Sequence, residues 1–276
     1  MENLLYIAWH PDEYIVRLGA GGIRWYGACW LVGLGLGYLL MRWLYKRHKY
    51  SDAQFDPLFI YVFLGALFGA RLGHCFFYQP DVYFASFEKF VEIFLPIRFL
   101  ADGDWKFVGY LGLASHGGVV GLLIGLWFYI RRSGMPAWVV LDFMGICSAV
   151  TSVFIRIGNL MNSEIIGKPT DVPWAFIFYD VDTLPRHPGQ LYEAIAYFVF
   201  FWIIFFVYRR YPQKVGSGLY FGLCLTLIFT FRFFIEYTKE IQVAFEAGLP
   251  MDMGQILSIP LIVLGLWATI RGVRQK

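Results

Sequence analysis

Apolar residues in this chain come in long runs separated by short clusters of charge. Seven runs approach the ~20 apolar residues that a membrane-crossing helix needs. They fall near residues 24–43, 57–78, 108–130, 137–160, 189–208, 217–236 and 254–271. The pattern predicts seven transmembrane helices in an all-α integral membrane protein, folded as a single polytopic domain over residues 1–276. The third run carries several glycines, and the fourth ends in polar residues. Residues 79–107 mix aromatics with both signs of charge. They read either as an arm lying along the outer membrane face or as an ordinary interfacial loop. Residues 161–187 form a second outer segment, a head between spans four and five.

Composition sharpens this picture. Of 276 residues, 58% are hydrophobic, 20% aromatic and only 16% charged, and the mean hydropathy is +0.56. A soluble domain carries roughly 25% charged residues, so a soluble globule is excluded. Cys29, Cys75, Cys147 and Cys224 show no metal-ligand spacing and sit in apolar runs, where a cysteine behaves as a small hydrophobe. No metal site, soluble cofactor or nucleic-acid partner is expected. The first 20 residues lack the basic start and long apolar core of a cleaved signal peptide.

The net charge of +3 says little, but its distribution orients the chain. Arg42, Lys46, Arg47, Lys49, Arg131, Arg132, Arg209, Arg210, Lys214, Arg271, Arg274 and Lys276 all flank the same ends of spans one, three, five and seven. The opposite loops hold Asp81, Glu88, Glu92, Asp102, Asp104, Asp171, Asp180, Asp182, Glu240, Glu246 and Asp252. By the positive-inside rule the N-terminus is outside and the C-terminus cytoplasmic.

On that topology the costly polar groups gather in the outer half of the membrane. They are Arg71 and His74 in span two, His116 in span three, and Arg156, Asn159 and Asn162 closing span four. His187, Gln190 and Glu193 open span five, Arg232 and Glu236 end span six, and Gln255 starts span seven. Asp142 alone lies at the cytoplasmic end, where it caps or orients its helix. Ionisable groups at membrane depth call for a functional explanation. A transporter would be expected to hold its polar site near the midplane, in broken helices of two matched halves, and neither feature is seen. A lipid-processing enzyme would use outer arginines to hold a phospholipid phosphate. Taken singly, the residues leave alternatives open. His116 reads as a satisfied core histidine or a functional one, and Arg71 as snorkelling, pairing with carbonyls or binding substrate. Arg232 and Glu236, four apart, read as a structural ion pair or as part of a site. A transporter or channel for a small anion is the competing function.

Two longer stretches carry a resemblance. They are RIGNLMNSEIIG from Arg156 to Gly167 and HPGQLYE from His187 to Glu193. With RWYG at Arg24–Gly27, ARLG at Ala70–Gly73, SHGG at Ser115–Gly118 and MGQILSIP at Met253–Pro260, the chain resembles the bacterial prolipoprotein diacylglyceryl transferases. The resemblance implies a seven-span enzyme of the bacterial plasma (inner) membrane, with its active site facing the outer leaflet. Its reaction would move the diacylglyceryl group of phosphatidylglycerol onto the lipobox cysteine of a prolipoprotein signal peptide. Glycerol phosphate would leave. By the same resemblance His116 transfers the thiol proton, or positions the thiol if it ionises otherwise, while Arg156 and Arg232 bind phosphate with Tyr26 and Asn159 in support. Asn162, Glu164, Gly167, Arg71, His187, Gln190, Glu193 and Glu236 complete the substrate-binding set. The chain departs from the family pattern at Ile155, Leu160, Ile228 and Lys239, the last standing where arginine is common.

Overall fold

The computed structural model describes residues 6–18, 21–100, 103–109, 112–240, 248 and 250–275. Asp102, Glu246 and Lys276, used in the charge reading above, lie outside them. The described chain is mostly helical. Six helices are long and apolar enough to cross a membrane: α1 (Trp25–Arg47), α2 (Asp52–Phe77), α6 (Ala137–Met161), α7 (Gly189–Arg210), α8 (Leu219–Ile235, continued by a 3-10 turn to Thr238) and α9 (Met253–Arg274). The third sequence run behaves differently. Its helix, α5, covers only Ser115–Ser133 and is not among the six. The expected span of 108–130 therefore begins too early. Gly109 and Gly112 have φ of 70° and 77°, a left-handed backbone that no right-handed helix can continue through.

The mostly helical chain is consistent with the all-α expectation, and its few strands are short. Short strands occupy the connections: β1 (Ile7–Trp9), β2 (Tyr14–Leu18), β3 (Gly21–Arg24), β4 (Ile97–Phe99), β5 (Trp105–Phe107), β6 (Phe176–Phe178) and β7 (Pro185–Arg186). β1 pairs parallel with β6, which pairs antiparallel with β7. β2–β3 and β4–β5 are antiparallel hairpins.

The chain divides into two compact units, Tyr45–Pro136 and the combination of Met1–Leu44 with Ala137–Lys276. In the first of these, α2 and α5 are held together by glycine. Gly65, Gly69 and Gly73 recur every four residues on α2, and Gly117, Gly121 and Gly125 do so on α5. A methyl group on Gly121 would overlap the carbonyl oxygen of Gly65, and one on Gly117 that of Gly69. Small residues at four-residue spacing let helix backbones approach this closely. Two further helices, α3 (Pro80–Tyr83) and α4 (Phe87–Phe94), follow α2.

In the larger unit, Gly33 and Gly37 of α1 make room for Thr151 of α6, whose hydroxyl donates to the Gly33 carbonyl at 3.1 Å. Asp142 caps a helix, but not its own. Its fully buried carboxylate accepts the backbone N–H groups of Gly216, Gly218, Tyr220 and Phe221 at 2.8–3.0 Å. Tyr220 and Phe221 are orphan donors in the first turn of α8 and Gly216 and Gly218 lead into it, and a negative charge there also meets the helix dipole favourably. Cys75, Cys147 and Cys224 are buried free thiols and Cys29 is half-buried, in keeping with packing roles.

Candidate active site

The last turns of α6, the first turns of α7 and the end of α8 bring five charged side chains into one line. Arg156 Nε lies 3.2 Å from Glu193 Oε2. Lys239 Nζ donates to Glu193 Oε1 and to Glu236 Oε1, both at 3.1 Å. Glu236 Oε1 lies 3.5 Å from Arg232 Nε. Signs alternate along the line, with a cation at each end and one positive charge in excess. Burying an ion costs several kcal/mol unless partners compensate. Alternation supplies such partners to Glu193 and Lys239, whose side chains are 0% and 3% exposed. At the two ends the closest carboxylate contact runs through Nε. That leaves the Nη edge of each guanidinium, the fork suited to a phosphate.

Tyr197 and Gly254 complete the line. Tyr197, one helical turn after Glu193, donates its hydroxyl to Glu193 Oε1 at 3.1 Å, and the Arg156 guanidinium sits 6.0 Å from its ring centroid. The Arg156–Glu193 contact is a proximity ion pair, because Glu193 Oε2 makes no aligned hydrogen bond among the described residues. Gly254 opens α9 beside Glu236, and a methyl group there would overlap the Glu236 carboxylate. Tyr26 of α1 packs over Gly158, where a Cβ would come within 3.1 Å of its ring. It thus sits on the same turn of α6 as Arg156 and Asn159.

After α6 the chain reverses through Ser163 and Ile165, both at positive φ. The reversal brings the Glu164 carboxylate under the side-chain amides of Asn159 and Asn162, each 3.1 Å away. Gln190 donates to the Glu164 carbonyl. Its own side-chain oxygen is buried and has no partner among the described residues. Gly167 is wedged between His187 and Thr238, and only glycine fits: a Cβ would overlap the His187 carbonyl and lie 2.9 Å from that of Thr238. Backbone bonds from Gly167 to His187 and from Lys168 to Thr238 tie this head segment to the turn that carries Lys239.

Arg186, on β7, clasps the head. It reaches Asp182, Glu240 at 2.6 Å and the Gly167 carbonyl at 3.1 Å. Its guanidinium holds the Asp182 carboxyl below the ordinary range. His187 contacts the Tyr192 hydroxyl at 3.2 Å, and burial pushes its imidazole pKa down.

His116 and Arg71 belong to the smaller unit. His116 is exposed near the start of α5 and makes no hydrogen bond to a described residue, so it is not a satisfied core histidine. It lines an apolar cavity of about 620 Å³ with Gly73, Phe76, Tyr78 and Val120. Arg71 is buried and pairs with carbonyls. Its Nη2 donates to Glu92 O at 2.7 Å, its Nε to Ile93 O at 3.3 Å and its Nη1 to the Tyr83 hydroxyl at 3.1 Å.

Sequence reasoning did not place Tyr197 or Lys239 in the site. Both carried a usable signal, since Tyr197 follows Glu193 by four residues and Lys239 follows Glu236 by three.

Comparison with known proteins adds the chain's ancestry. A family model described as prolipoprotein diacylglyceryl transferase matches residues 13–271. A phosphatidylglycerol–prolipoprotein diacylglyceryl transferase of Bacteroides fragilis is 50% identical over 268 residues, covering 97% of this chain and 96% of that protein. Proteins of the same name from Tolumonas auensis and Chloroherpeton thalassium are each 40% identical. They cover 97% and 100% of this chain, and 98% and 97% of their own lengths. The elements holding Tyr26, His116, Arg156, Glu193, Arg232 and Glu236 all lie within the matched region, and this chain belongs to the prolipoprotein diacylglyceryl transferase family.

Proposed function

We propose that this protein transfers the diacylglyceryl group of phosphatidylglycerol to the cysteine thiol of a prolipoprotein lipobox. A sulfur–carbon bond forms at the glyceryl carbon, and the bond from that carbon to the phosphate oxygen breaks. The thiol proton passes to a base, and glycerol phosphate departs with the bonding electrons. Two demands follow, a proton acceptor near the thiol and cations at the departing phosphate.

The observation that carries this reading is the line Arg156–Glu193–Lys239–Glu236–Arg232. Its carboxylates lie against the inner nitrogens of two guanidiniums, which leaves the outer edges to meet a phosphate as charge develops on the leaving group. His116, exposed and with no hydrogen bond among the described residues, is the proton acceptor. Tyr26 and Asn159 support the phosphate end. Asn162, Glu164, Gly167, His187, Gln190 and Glu193 shape the head segment beside it, and Glu236 steadies Arg232. Arg71 serves the segment after α2, because its donors are used on carbonyls there.

In this reading α5 is the seventh crossing, paired to α2 by the interlocked glycines. The N-terminus faces outward, the C-terminus faces the cytoplasm, and the site opens to the outer leaflet of the bacterial inner membrane, where a translocated precursor arrives. No metal or soluble cofactor takes part. The test uses purified protein, phosphatidylglycerol and a lipobox-cysteine peptide, read by mass spectrometry. The expected product is a peptide heavier by one diacylglyceryl unit. No adduct forms on the cysteine-to-serine peptide. A missing adduct, under conditions where a known transferase works, overturns the assignment.

A further inference from the structure

Three side chains of the head segment, linked in series, fix where one histidine carries its proton. β6 and β7 pair with Phe176 opposite Arg186, so residues just before β6 run beside those just after β7. There the Trp174 indole Nε1 donates to the Tyr192 hydroxyl at 2.8 Å. That hydroxyl lies 3.2 Å from His187 Nδ1. Tyr192 stands in the first turn of α7, and His187 two residues before the helix begins.

The direction of each bond follows from what the groups can do. An indole N–H only donates, so it occupies a lone pair of the phenol oxygen. The phenol proton then needs an acceptor, and His187 Nδ1 is its partner besides the indole among the described residues. Burial favours the uncharged ring, which lets Nδ1 accept. A neutral imidazole accepting at Nδ1 carries its proton on Nε2. The other tautomer would aim two donors at the phenol oxygen and leave the phenol proton without an acceptor there. The network therefore selects Nε2–H.

The ring is also held in place. The His187 N–H donates to the Lys168 carbonyl, and its own carbonyl accepts from Gly167 and Gly189. Gly167 packs directly on the His187 Cβ and against Thr238, the neighbour of Lys239 in the charged line. The ring is half-buried, yet Nε2 makes no hydrogen bond to a described residue. A half-buried donor of fixed direction calls for an acceptor from outside the fold.

We propose that Trp174 and Tyr192 are positioning residues that hold His187 as a neutral Nε2–H donor to a substrate carbonyl. A neutral donor binds a carbonyl without burying an unpaired charge, and the phosphate is already matched by the guanidinium forks. Both substrates of the proposed transfer bring carbonyls: the peptide backbone around the lipobox cysteine, and the acyl esters of phosphatidylglycerol. The inference rests on the transfer reading for its ligand, and not for its hydrogen bonds.

The test uses the full chain with 15N-labelled histidine in a maltoside detergent, which has no carbonyl. The His187 signals are assigned by their loss in His187→Gln. At neutral pH, Nδ1 is expected to read as an unprotonated nitrogen and Nε2 as a protonated one. Tyr192→Phe should release the tautomer, so that the two signals move towards a common average. A protonated Nδ1 in the parent protein, or a spectrum unchanged by Tyr192→Phe, overturns the relay. A lipobox-cysteine peptide or phosphatidylglycerol, each added alone, then reads the acceptor without turnover. A shift at Nε2 with Nδ1 in place identifies the substrate that is bound. If it is the lipid, an ether-linked phosphatidylglycerol should not produce the shift. No shift with either substrate overturns the donor role. In the transfer assay His187→Asn should raise KM for that substrate about tenfold, the worth of a typical hydrogen bond, with kcat near the parent value. His187→Gln, whose amide nitrogen can stand where Nε2 does, should recover most of the loss. Equal impairment of the two variants overturns the donor role as well. A protein that shows the tautomer and the Nε2 shift but makes no adduct refutes the transfer reading alone.

Discussion

Lys239 Nζ lies 3.1 Å from Glu193 Oε1, and the two side chains are 3% and 0% exposed. The same nitrogen bonds Glu236, so one ammonium bridges two carboxylates, each of which has a guanidinium on its other side. Lys239→Met removes the bridge and leaves Glu193 and Glu236 adjacent, each with only its arginine. Removing one member of a buried pair costs about 3–5 kcal/mol. We expect a clear fall in thermal unfolding temperature in detergent, together with loss of transfer activity. Lys239→Arg keeps the charge and should restore most of the stability. An unchanged unfolding temperature for the methionine variant would mean that the two carboxylates find other partners.

The glycine rows of α2 and α5 make a sharper mechanical prediction. A side chain at Gly121 must displace the Gly65 backbone, which cannot yield as a flexible side chain would. Gly121→Leu should therefore separate the two helices. Overpacking of this kind costs about 1–3 kcal/mol, sometimes more. Gly27, on α1, has nothing within 4 Å of an added Cβ, so Gly27→Ala is the matched control. Yield of monodisperse protein after detergent extraction should drop for Gly121→Leu and hold for Gly27→Ala.

These particulars show how far the sequence could be read. Hydropathy located the six long helices, because lipid requires an apolar run of set length whatever the helix packs against. It failed at the start of α5, where Val108 and Leu113 extend the apolar run while Gly109 and Gly112 break the backbone. Within the site, motif spacing picked out Arg156, Glu193, Arg232 and Glu236, which adjoin one another in the fold. Lys239 escaped because its burial depends on the 3-10 turn at Glu236–Thr238. Asp142 was recognised as a cap, yet the helix that it caps starts over 70 residues later in the chain. Arg71 was visible as a costly charge, but two of its acceptors are the carbonyls of Glu92 and Ile93, which carry no sequence signature.

The head segment should loosen in acid, and the sign follows from two groups. Asp182 has a folded pKa below its unfolded value because Arg186 holds the charged form. His187 also has a folded pKa below its unfolded value, because burial favours the neutral ring. For both, the unfolded state binds more protons over the window between the two values, so stability rises with pH there. The histidine contribution is complete above about pH 6.5 and the aspartate one above about pH 4. Each is lost as pH falls through the folded value. Protection of the Gly167 and Lys168 amides, taken as hydrogen exchange relative to the intrinsic rate at each pH, should fall in two steps on acidification. His187→Gln should remove the upper step and Asp182→Asn the lower one. Protection that is flat from pH 7 to 4 would contradict the histidine assignment.

His116 and Arg156 should separate cleanly when tested for both fold and activity. His116 is exposed and makes no hydrogen bond among the described residues, so His116→Ala is expected to leave the fold intact. If it accepts the thiol proton, the loss should be about 10²–10⁴-fold in turnover, with an unchanged unfolding temperature. A peptide whose thiol is more acidic should recover part of the rate, because less of the barrier then lies in proton removal. Arg156→Lys keeps the charge beside Glu193 but loses the guanidinium fork. Removing one preorganised donor to developing charge costs about 10²–10³-fold, and this loss should be indifferent to thiol acidity. If both variants respond alike to the more acidic thiol, His116 is positioning the peptide and another group takes the proton.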